Sequence, residues 1–279
     1  MNENGDLFLV ATPIGNLSEF SERAIKVLNN VDVIFCEDQR VTIKLLNFFS
    51  IKKNLKTLNA KNEKENIDKI IDLLSKNLKI ALLSDAGYPL ISDPGNLLLK
   101  SIIERNFKVV PISGPSAFLN ALVCSGFNTQ HFIFHGFLSS KDNKAKEEII
   151  KYKNFNYPII FYESPHRILR TLNIFNELLP DTKICVAKEL TKKFEKFYYG
   201  NANSIGEELK DNHKGEFVLI IENYVIQEKI KINKKNVYNE IEFLIKNDGL
   251  KIKVAINIIA DKYQLSKNEL YKEFHKNRK

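Results

Sequence analysis

Short apolar runs alternate with segments of helical periodicity between residues 6 and 113. In chain order they are DLFLVAT, SERAIKVLNN, VDVIFCED, ENIDKIIDLLSKN, KIALLSD, NLLLKSIIERN and KVVPIS. An alternation of strand and helix predicts an α/β unit with a largely parallel sheet. Ser21 and the run Asp93-Pro94-Gly95 are predicted helix starts.

A second strand-rich unit follows the stretch SGPSAFLNALVCSG. Its apolar runs are HFIFHGF, YPIIFYES, KICVAKEL, FEKFYYG and GEFVLIIE, and its helical segments are KAKEEIIKY and RILRTLNIFNELL. The last three runs are close enough in sequence for antiparallel pairing, so we expect a mixed strand order. We place the change of domain between Gly114 and Leu122, which predicts α/β domains over residues 1–117 and 118–224.

The character of the chain changes near Val225. The tail over residues 225–279 carries 13 Lys and Arg against 7 Asp and Glu. Apolar residues recur there with helical spacing, and Ser266 with Glu269 makes a capping box, so we predict a basic helical extension. Such an extension is either a solvated element packed on its neighbour or a surface that faces RNA.

Composition narrows the class of protein. The chain has 279 residues, 44% of them hydrophobic, which is typical of a globular protein. No apolar run is long enough to span a membrane, so we expect a cytoplasmic location. Cys36, Cys124 and Cys185 lie far apart without CxxC spacing, which predicts buried reduced thiols rather than disulfides or a zinc site. The net charge of +8 suits a polyanionic partner.

Polar and glycine-rich loops follow several of the apolar runs, where α/β proteins bind ligands. These loops are TPIGN, CEDQR, SDAGYPLISDPG, SGPSA, ESPHR and KELTKKFEK. TPIGN has one glycine where a dinucleotide fingerprint has three, and no GxxxxGK[ST] loop occurs. Dinucleotide-dependent dehydrogenases and P-loop nucleotidases are therefore disfavoured.

The loop at residues 84–95 allows three interpretations. Asp85 follows a strand directly and is able to accept hydrogen bonds from a ligand's amine or ribose hydroxyls. Asp38, Asp85 and Asp93 together are instead a possible magnesium site. In the third interpretation Asp93 caps a helix and Asp85 shapes a turn. In ESPHR, His166 is a candidate proton acceptor and Arg167 a candidate phosphate clamp, and a structural role for His166 stays open.

Taken together, these loops resemble the tetrapyrrole methylase superfamily, and within it the ribosomal RNA small subunit methyltransferase I branch. The matching motifs are LVATPIGNL, EDQR, LLSDAGYPLISDPG, PISGPSA, FHGFL, FYESPHR, AKELTKKFEKFYYG and GEFVLIIE, in family order over residues 7–222. The chain departs from the family pattern at Gln39, where a threonine is usual, at Lys188, where an arginine is usual, and at Ser139, near a usual proline.

The resemblance implies two α/β domains with S-adenosylmethionine held in the cleft between them, plus the C-terminal helical extension. The cofactor contacts that it implies are Pro13, Leu83, Ser84, Asp85, Tyr88, Ser116, Ala117, Tyr162 and Leu190. No metal is implied, because a sulfonium ion transfers its methyl group once the acceptor is held in line.

The implied activity is methylation of a cytidine ribose 2′-oxygen in the decoding region of small-subunit (16S) ribosomal RNA. A ribose hydroxyl is a poor nucleophile, and the candidate proton acceptors are Glu163, His166 and Glu189. Contacts to RNA are expected from Arg40, His166, Arg167, Lys188, Lys192, Lys193 and the basic tail.

Two other functions stay open at this point. A methyltransferase of the same fold is able to act on a tetrapyrrole precursor, and an RNA-binding assembly factor would keep only a vestigial pocket. The expected partner is free small-subunit RNA or the assembled subunit, with no membrane. The resemblance also implies a homodimer.

Overall fold

The computed structural model describes residues 5–152, 155–222, 234–247, 249–263 and 265–277. The chain divides into two compact units, Met1–Val225 and Ile226–Lys279. None of the helices within the described ranges combines the length and the apolarity that crossing a bilayer requires.

The first sheet of the larger unit has five parallel strands in the order β3-β2-β4-β1-β5. The strands are β1 (Asp6–Val10), β2 (Val33–Cys36), β3 (Asn54–Thr57), β4 (Ile80–Leu83) and β5 (Lys108–Ile112). The intervening helices are α1 (Glu22–Asn30), α2 (Gln39–Phe48), α3 (Glu63–Ser75) and α4 (Asn96–Glu104). Separate apolar clusters cover the two faces of this sheet. All five strands therefore end at the same edge, where the polar loops begin.

The second sheet of the larger unit is mixed and has the order β6-β7-β10-β8-β9. Its strands are β6 (Ile133–Phe137), β7 (Ile159–Glu163), β8 (Ile184–Lys188), β9 (Lys196–Gly200) and β10 (Phe217–Ile221). Its helices are α5 (Ala117–Cys124), α6 (Asp142–Ile150), α7 (Ile168–Leu178) and α8 (Ala202–Leu209). β8 pairs antiparallel with both β9 and β10, which confirms the predicted pairing of the last three runs.

The predicted fold of two α/β sheets followed by C-terminal helices is confirmed. Sequence reasoning missed α2, α5, α8 and the short strand β3. β3 reads NLKT and alternates between exposed and half-buried positions, so it lacks the apolar run that marks a buried strand. The domain boundaries at residues 117 and 224 stay a prediction.

Both predicted helix starts are confirmed, since α1 begins directly after Ser21 and α4 begins directly after the run Asp93-Pro94-Gly95. Ser21 caps α1, because its side chain accepts a hydrogen bond from the Ala24 N–H. Asp93 does not cap α4, so that interpretation was wrong. The buried Glu63 takes this role, since its Oε1 accepts the N–H groups of Leu97 at 2.8 Å and Leu98 at 3.1 Å. The Asp93 side chain therefore makes no capping hydrogen bond to α4.

The cysteines are all free thiols, as predicted. Cys36 and Cys185 are buried, but Cys124 is exposed, so its predicted burial was wrong. Cys124 is the last residue of α5, and its carbonyl accepts a hydrogen bond from the Tyr199 hydroxyl of β9 at 2.8 Å.

The described residues of the smaller unit form three helices around an apolar cluster of their own. The helices are α9 (Lys234–Lys246), α10 (Ile252–Tyr263) and α11 (Lys267–Asn277). Ala255, Ile256 and Ile259 of α10 lie in this cluster, as their helical spacing predicted. The start of the predicted extension, residues 225–233, lies outside the described residues.

Candidate active site

A cavity of about 470 Å³ lies in the larger unit, between loops that follow the strands of both sheets. The first sheet contributes Glu37, Asp85, Gly87, Tyr88, Asp93 and Ser116 among its lining residues. The second sheet contributes Phe137, Tyr162, Glu163, Leu190, Glu216 and Phe217. A cavity of this size, with mostly apolar walls and a few convergent polar groups, is typical of a small-molecule site.

Two loops of the first sheet are held together beside this cavity. Thr12 and Gly87 exchange backbone hydrogen bonds of 2.8 and 3.1 Å, which joins the loop after β1 to the loop after β4. Gly87 has a φ of +77°, a conformation that glycine adopts without strain. Gly15 is required for a different reason, because a Cβ there would lie 2.4 Å from Cγ of Lys192. The first loop therefore approaches the loop after β8 closely.

Three carboxyl groups, on Glu37, Asp85 and Asp93, line the cavity. Burial raises the pKa of each, and their mutual repulsion adds to the effect, bringing the pKa of Asp93 to about 7. Within the described part of the chain, no Lys or Arg forms an ion pair with any of the three. The cavity is therefore an environment that favours a positively charged ligand.

Asp38 differs from its acidic neighbours because it already has a cationic partner. Its carboxylate accepts hydrogen bonds from the Arg40 side chain and backbone, and these bonds lower the pKa of Asp38 to about 2. The backbone N–H of Asp38 donates to Oδ1 of Asp85 at 3.1 Å. That contact orients the Asp85 carboxyl at the end of β2.

The raised pKa of Asp93 predicts a pH-dependent stability. Between about pH 4 and pH 7 the folded chain holds a proton on Asp93 that the unfolded chain has released, so stability falls as pH rises through this range. We expect Asp93→Asn to be more stable than the wild type at pH 8 and equally stable at pH 4. Urea unfolding at the two pH values measures this. An equal difference at both values would contradict the raised pKa.

Backbone strain is concentrated in the two loops that flank the cavity. Leu90 and Ser92 in the loop after β4 have φ values of +76° and +66°. Glu189 and Thr191 in the loop after β8 have φ values of +51° and +66°. Positive φ in residues other than glycine is strained and occurs most often at functional sites. This strain supports the assignment of the cavity as the functional site.

Six of the nine predicted cofactor contacts line the cavity, namely Asp85, Tyr88, Ser116, Ala117, Tyr162 and Leu190. The other three, Pro13, Leu83 and Ser84, do not. Leu83 is buried in the core of the first sheet. Ser84 is buried and donates to the Gly87 carbonyl at 3.0 Å, so it shapes the loop that carries Asp85.

The three candidate proton acceptors occupy different environments. Only Glu163 lines the cavity, and its carboxylate is shared among Arg167, Thr171 and the Ser164 N–H. His166 is exposed and does not line the cavity. Burial alone would raise the pKa of Glu189, but hydrogen bonds from the Lys192 ammonium and the Glu216 N–H hold it below its ordinary value. The catalytic role of all three stays a prediction.

The predicted RNA contacts separate into exposed and engaged side chains. Arg40 and Lys193 are exposed. Lys188 is only 5% exposed, and its ammonium donates to the carbonyl and side-chain oxygens of Asn212. Lys192 is paired with Glu189 and Glu216. Arg167 donates to the Leu138 carbonyl at 2.6 Å and to Glu163. Arg40 is exposed but is paired with Asp38, so of these five side chains only Lys193 is exposed and forms no ion pair with another described residue.

The alternative of a magnesium site formed by Asp38, Asp85 and Asp93 finds no support in the geometry. Over the described ranges, no three His, Cys, Asp or Glu side chains converge as metal ligands. Asp38 instead turns its carboxylate towards Arg40.

Sequence reasoning missed several residues of the site. Glu37 lies in the loop CEDQR and lines the cavity. Its position directly after β2 could have identified it as a site residue. Phe137 comes from the end of β6. Phe194 lies on the loop that carries Leu190, is 72% exposed, and has the Lys193 ammonium 5.5 Å from its ring centroid. An exposed phenylalanine cannot be told from a buried one by sequence alone.

Solved structures show which class of protein has this fold. Diphthine synthase matches with a TM-score of 0.63 and 12% identity, over 78% of this chain and 90% of that one. The uroporphyrin-III C-methyltransferase of Thermus thermophilus, complexed with S-adenosyl homocysteine, matches with a TM-score of 0.55 and 12% identity, over 77% of this chain and 97% of that one. At these identities the likeness shows the fold alone, which this chain shares with a diphthine synthase and a uroporphyrin-III C-methyltransferase.

Sequence comparison defines the family. Residues 6–206 match the Tetrapyrrole (Corrin/Porphyrin) Methylases. Ribosomal RNA small subunit methyltransferase I of Mycoplasma genitalium is 39% identical over 96% of this chain and 98% of its own. The protein of the same name from Bacillus subtilis is 38% identical over 98% and 95%. The chain belongs to the tetrapyrrole methylase family, in its ribosomal RNA small subunit methyltransferase I branch.

Proposed function

We propose that this chain transfers a methyl group from S-adenosylmethionine to small-subunit ribosomal RNA, at the 2′-oxygen of a cytidine ribose in the decoding region. The observation that carries the proposal is the 39% identity, over nearly the whole of both chains, to a ribosomal RNA small subunit methyltransferase I. The ribose oxygen, the cytidine and the decoding region rest on the ordered motifs of the sequence and are the finer part of the proposal.

The residues of the cavity fit S-adenosylmethionine. Three carboxyls without a cationic partner among the described residues suit a ligand with a sulfonium and an ammonium group. The apolar residues Ile14, Tyr162 and Leu190 provide surface for an adenine ring. α5 begins at the cavity, and its N-cap Ser116 makes no side-chain hydrogen bond to the helix. The first N–H groups of α5 are thus available to a carboxylate.

Bound S-adenosylmethionine supplies an electrophilic methyl group. The chain's own residues bind and orient the two reactants, since positioning dominates such a transfer. Asp85 is oriented by the Asp38 N–H to accept hydrogen bonds from the cofactor. Asp93 has a pKa of about 7, which suits a group that accepts the ribose proton near neutral pH. Burial raises the pKa of Tyr162 to about 12, so its phenol stays protonated.

The RNA would approach the cavity beside the loop after β8. Lys193 and Phe194 are both exposed on this loop, and Leu190 of the same loop lines the cavity. A lysine contacts phosphate, and an exposed aromatic ring stacks on an unpaired base. Arg40 is exposed on the side of the first sheet, next to the loop that carries Glu37.

Transfer of a labelled methyl group tests the proposal. We would incubate the chain and labelled S-adenosylmethionine with small ribosomal subunits that lack native ribose methylation, with naked small-subunit RNA, and with uroporphyrinogen. We expect label on one decoding-region cytidine ribose. Label on the tetrapyrrole alone would favour the alternative suggested by the family description. RNA binding without cofactor binding, measured by calorimetry, would favour an assembly factor.

A further inference from the structure

The outer face of α11 gathers exposed polar and aromatic residues along one side of the helix. Asn268, Tyr271, Lys272, His275 and Lys276 follow one another at spacings of three, four, seven and eight residues from the first, so they share a face. All five are exposed. The opposite side of α11 is anchored, because Leu270 and Phe274 are buried in the core of the three-helix unit. We call these five residues the α11 outer face.

The two acidic residues of α11 lie at the border of this face, three residues before Lys272 and Lys276 respectively. Glu269 belongs to the first turn, where its N–H donates to the Ser266 hydroxyl and its charge complements the helix dipole. Glu273 is half-buried on the side towards α9, where it accepts a hydrogen bond from the Tyr238 hydroxyl at 3.0 Å. The five residues of the α11 outer face are thus cationic or uncharged, with Glu269 as an exposed carboxylate at the border.

Two lysines elsewhere in the same unit are paired with carboxylates. Lys262 pairs with Glu240 at 2.6 Å, and Lys246 pairs with Glu242 at 2.8 Å. Over the part of the chain that the structure describes, neither Lys272 nor Lys276 forms an ion pair. Two unneutralised cations one turn apart, on a helix whose other face is packed, suit a row of phosphates.

An aromatic pair lies beside these cations on the same helix. The rings of Tyr271 and His275 are 4.4 Å apart at their centroids, and Tyr271 is 42% exposed. Each ring is followed directly by a lysine in the sequence. Exposed aromatic rings interleaved with Lys are the combination that binds unpaired nucleotides, because the ring stacks on a base while the ammonium contacts the adjacent phosphate.

We propose that the α11 outer face binds single-stranded ribosomal RNA, so that the smaller unit takes part in holding the substrate. The inference rests on the proposed function for the identity of the RNA. Lys272 and Lys276 contact phosphates, and Tyr271 with His275 stacks on a base.

Binding of the full-length chain to naked small-subunit RNA and to assembled small subunits, by filter retention over a range of salt concentrations, tests this. We expect the double variant Lys272→Glu/Lys276→Glu to bind at least tenfold more weakly. Its slope of log affinity against log salt should be smaller by roughly 1.4 to 1.8, since each of the two phosphate contacts contributes about 0.7 to 0.9. The matched control, Lys64→Glu/Lys69→Glu on the exposed side of α3, changes the net charge equally and should stay within about twofold of the wild type.

The stacking role has its own pair of variants. Tyr271→Ala should weaken binding by about tenfold, whereas Tyr271→Phe keeps the ring and should bind like the wild type. Binding of S-adenosylmethionine by calorimetry, unchanged in every variant, establishes that the larger unit is intact. Circular dichroism establishes that α11 is retained.

The possible outcomes distinguish failure of this inference from failure of the proposed function. Wild-type RNA affinity in the α11 variants would overturn the inference even if methyl transfer to RNA is observed. Weaker binding to assembled subunits with unchanged binding to naked RNA would also overturn it, because the face would then contact a ribosomal protein. Weaker RNA binding in the variants, in a chain that methylates no RNA, would support the inference and overturn the proposed function.

Discussion

Replacing Asp85 with alanine is expected to weaken the binding of S-adenosylmethionine by about 100-fold or more. Each hydrogen bond to a charged acceptor contributes about 1.5–3 kcal/mol. Losing two such bonds between the cofactor and Asp85 therefore weakens binding by about 100-fold or more. Asp85 is the cavity carboxyl whose orientation is set by a backbone contact, the 3.1 Å bond from the Asp38 N–H. Isothermal titration calorimetry of the purified chain measures the change.

Asp85→Asn is the control that separates charge from structure. Its side-chain oxygen is still able to accept the Asp38 N–H, so the loop after β4 should keep its conformation while the negative charge is lost. We expect an affinity between those of the wild type and Asp85→Ala. Wild-type affinity in both variants would remove Asp85 from the cofactor site.

Replacing Glu163 with alanine is expected to lower the free energy of unfolding by about 3–5 kcal/mol, because removing one partner of a buried pair leaves the other uncompensated. The Glu163 side chain is 1% exposed. Its Oε1 lies 3.0 Å from Nε of Arg167 and accepts the Ser164 N–H at 2.8 Å. Its Oε2 accepts the Thr171 hydroxyl at 2.6 Å. Urea unfolding monitored by circular dichroism measures the loss.

Two further variants distinguish a structural Glu163 from a catalytic one. Thr171→Val removes a single donor and should cost about 1 kcal/mol. Glu163→Gln keeps the shape of the side chain and removes the charge that pairs with Arg167, so we expect reduced stability. A Glu163→Gln chain with wild-type stability and a methyl-transfer rate reduced 100-fold or more would instead identify Glu163 as the proton acceptor.

The fold was predictable to the extent that its strands are buried. β2, β4, β8 and β10 are buried at every position, and each appears in the sequence as an apolar run ending in a polar loop. β3 was missed because it lies at the edge of its sheet and is half exposed. α5 was missed because SGPSAFLNALVCSG reads as a loop followed by a short apolar stretch. That stretch is too brief for helical periodicity to be distinguished from a strand.

Site residues were predictable where they follow a strand directly. They were not predictable where their role depends on a partner that is distant in sequence. Asp85 and Ser116 follow β4 and β5, so topology alone places them at the edge of the first sheet that carries the cavity. Lys188 was expected to contact RNA, yet Asn212, 24 residues later, binds its ammonium. Glu163 and Arg167 are four residues apart, a spacing typical of ion pairs, and this signal was present in the sequence.

The carboxyls of Glu37, Asp85 and Asp93 also bear on how each turnover ends. S-adenosylmethionine carries a sulfonium charge that is lost with the methyl group, so the thioether product carries one positive charge fewer. A cavity wall whose acidic groups form no ion pair with another described residue discriminates between these two forms by charge, although their shapes are almost the same. The carboxyls that bind S-adenosylmethionine therefore also favour release of the thioether product and its replacement by another molecule of S-adenosylmethionine.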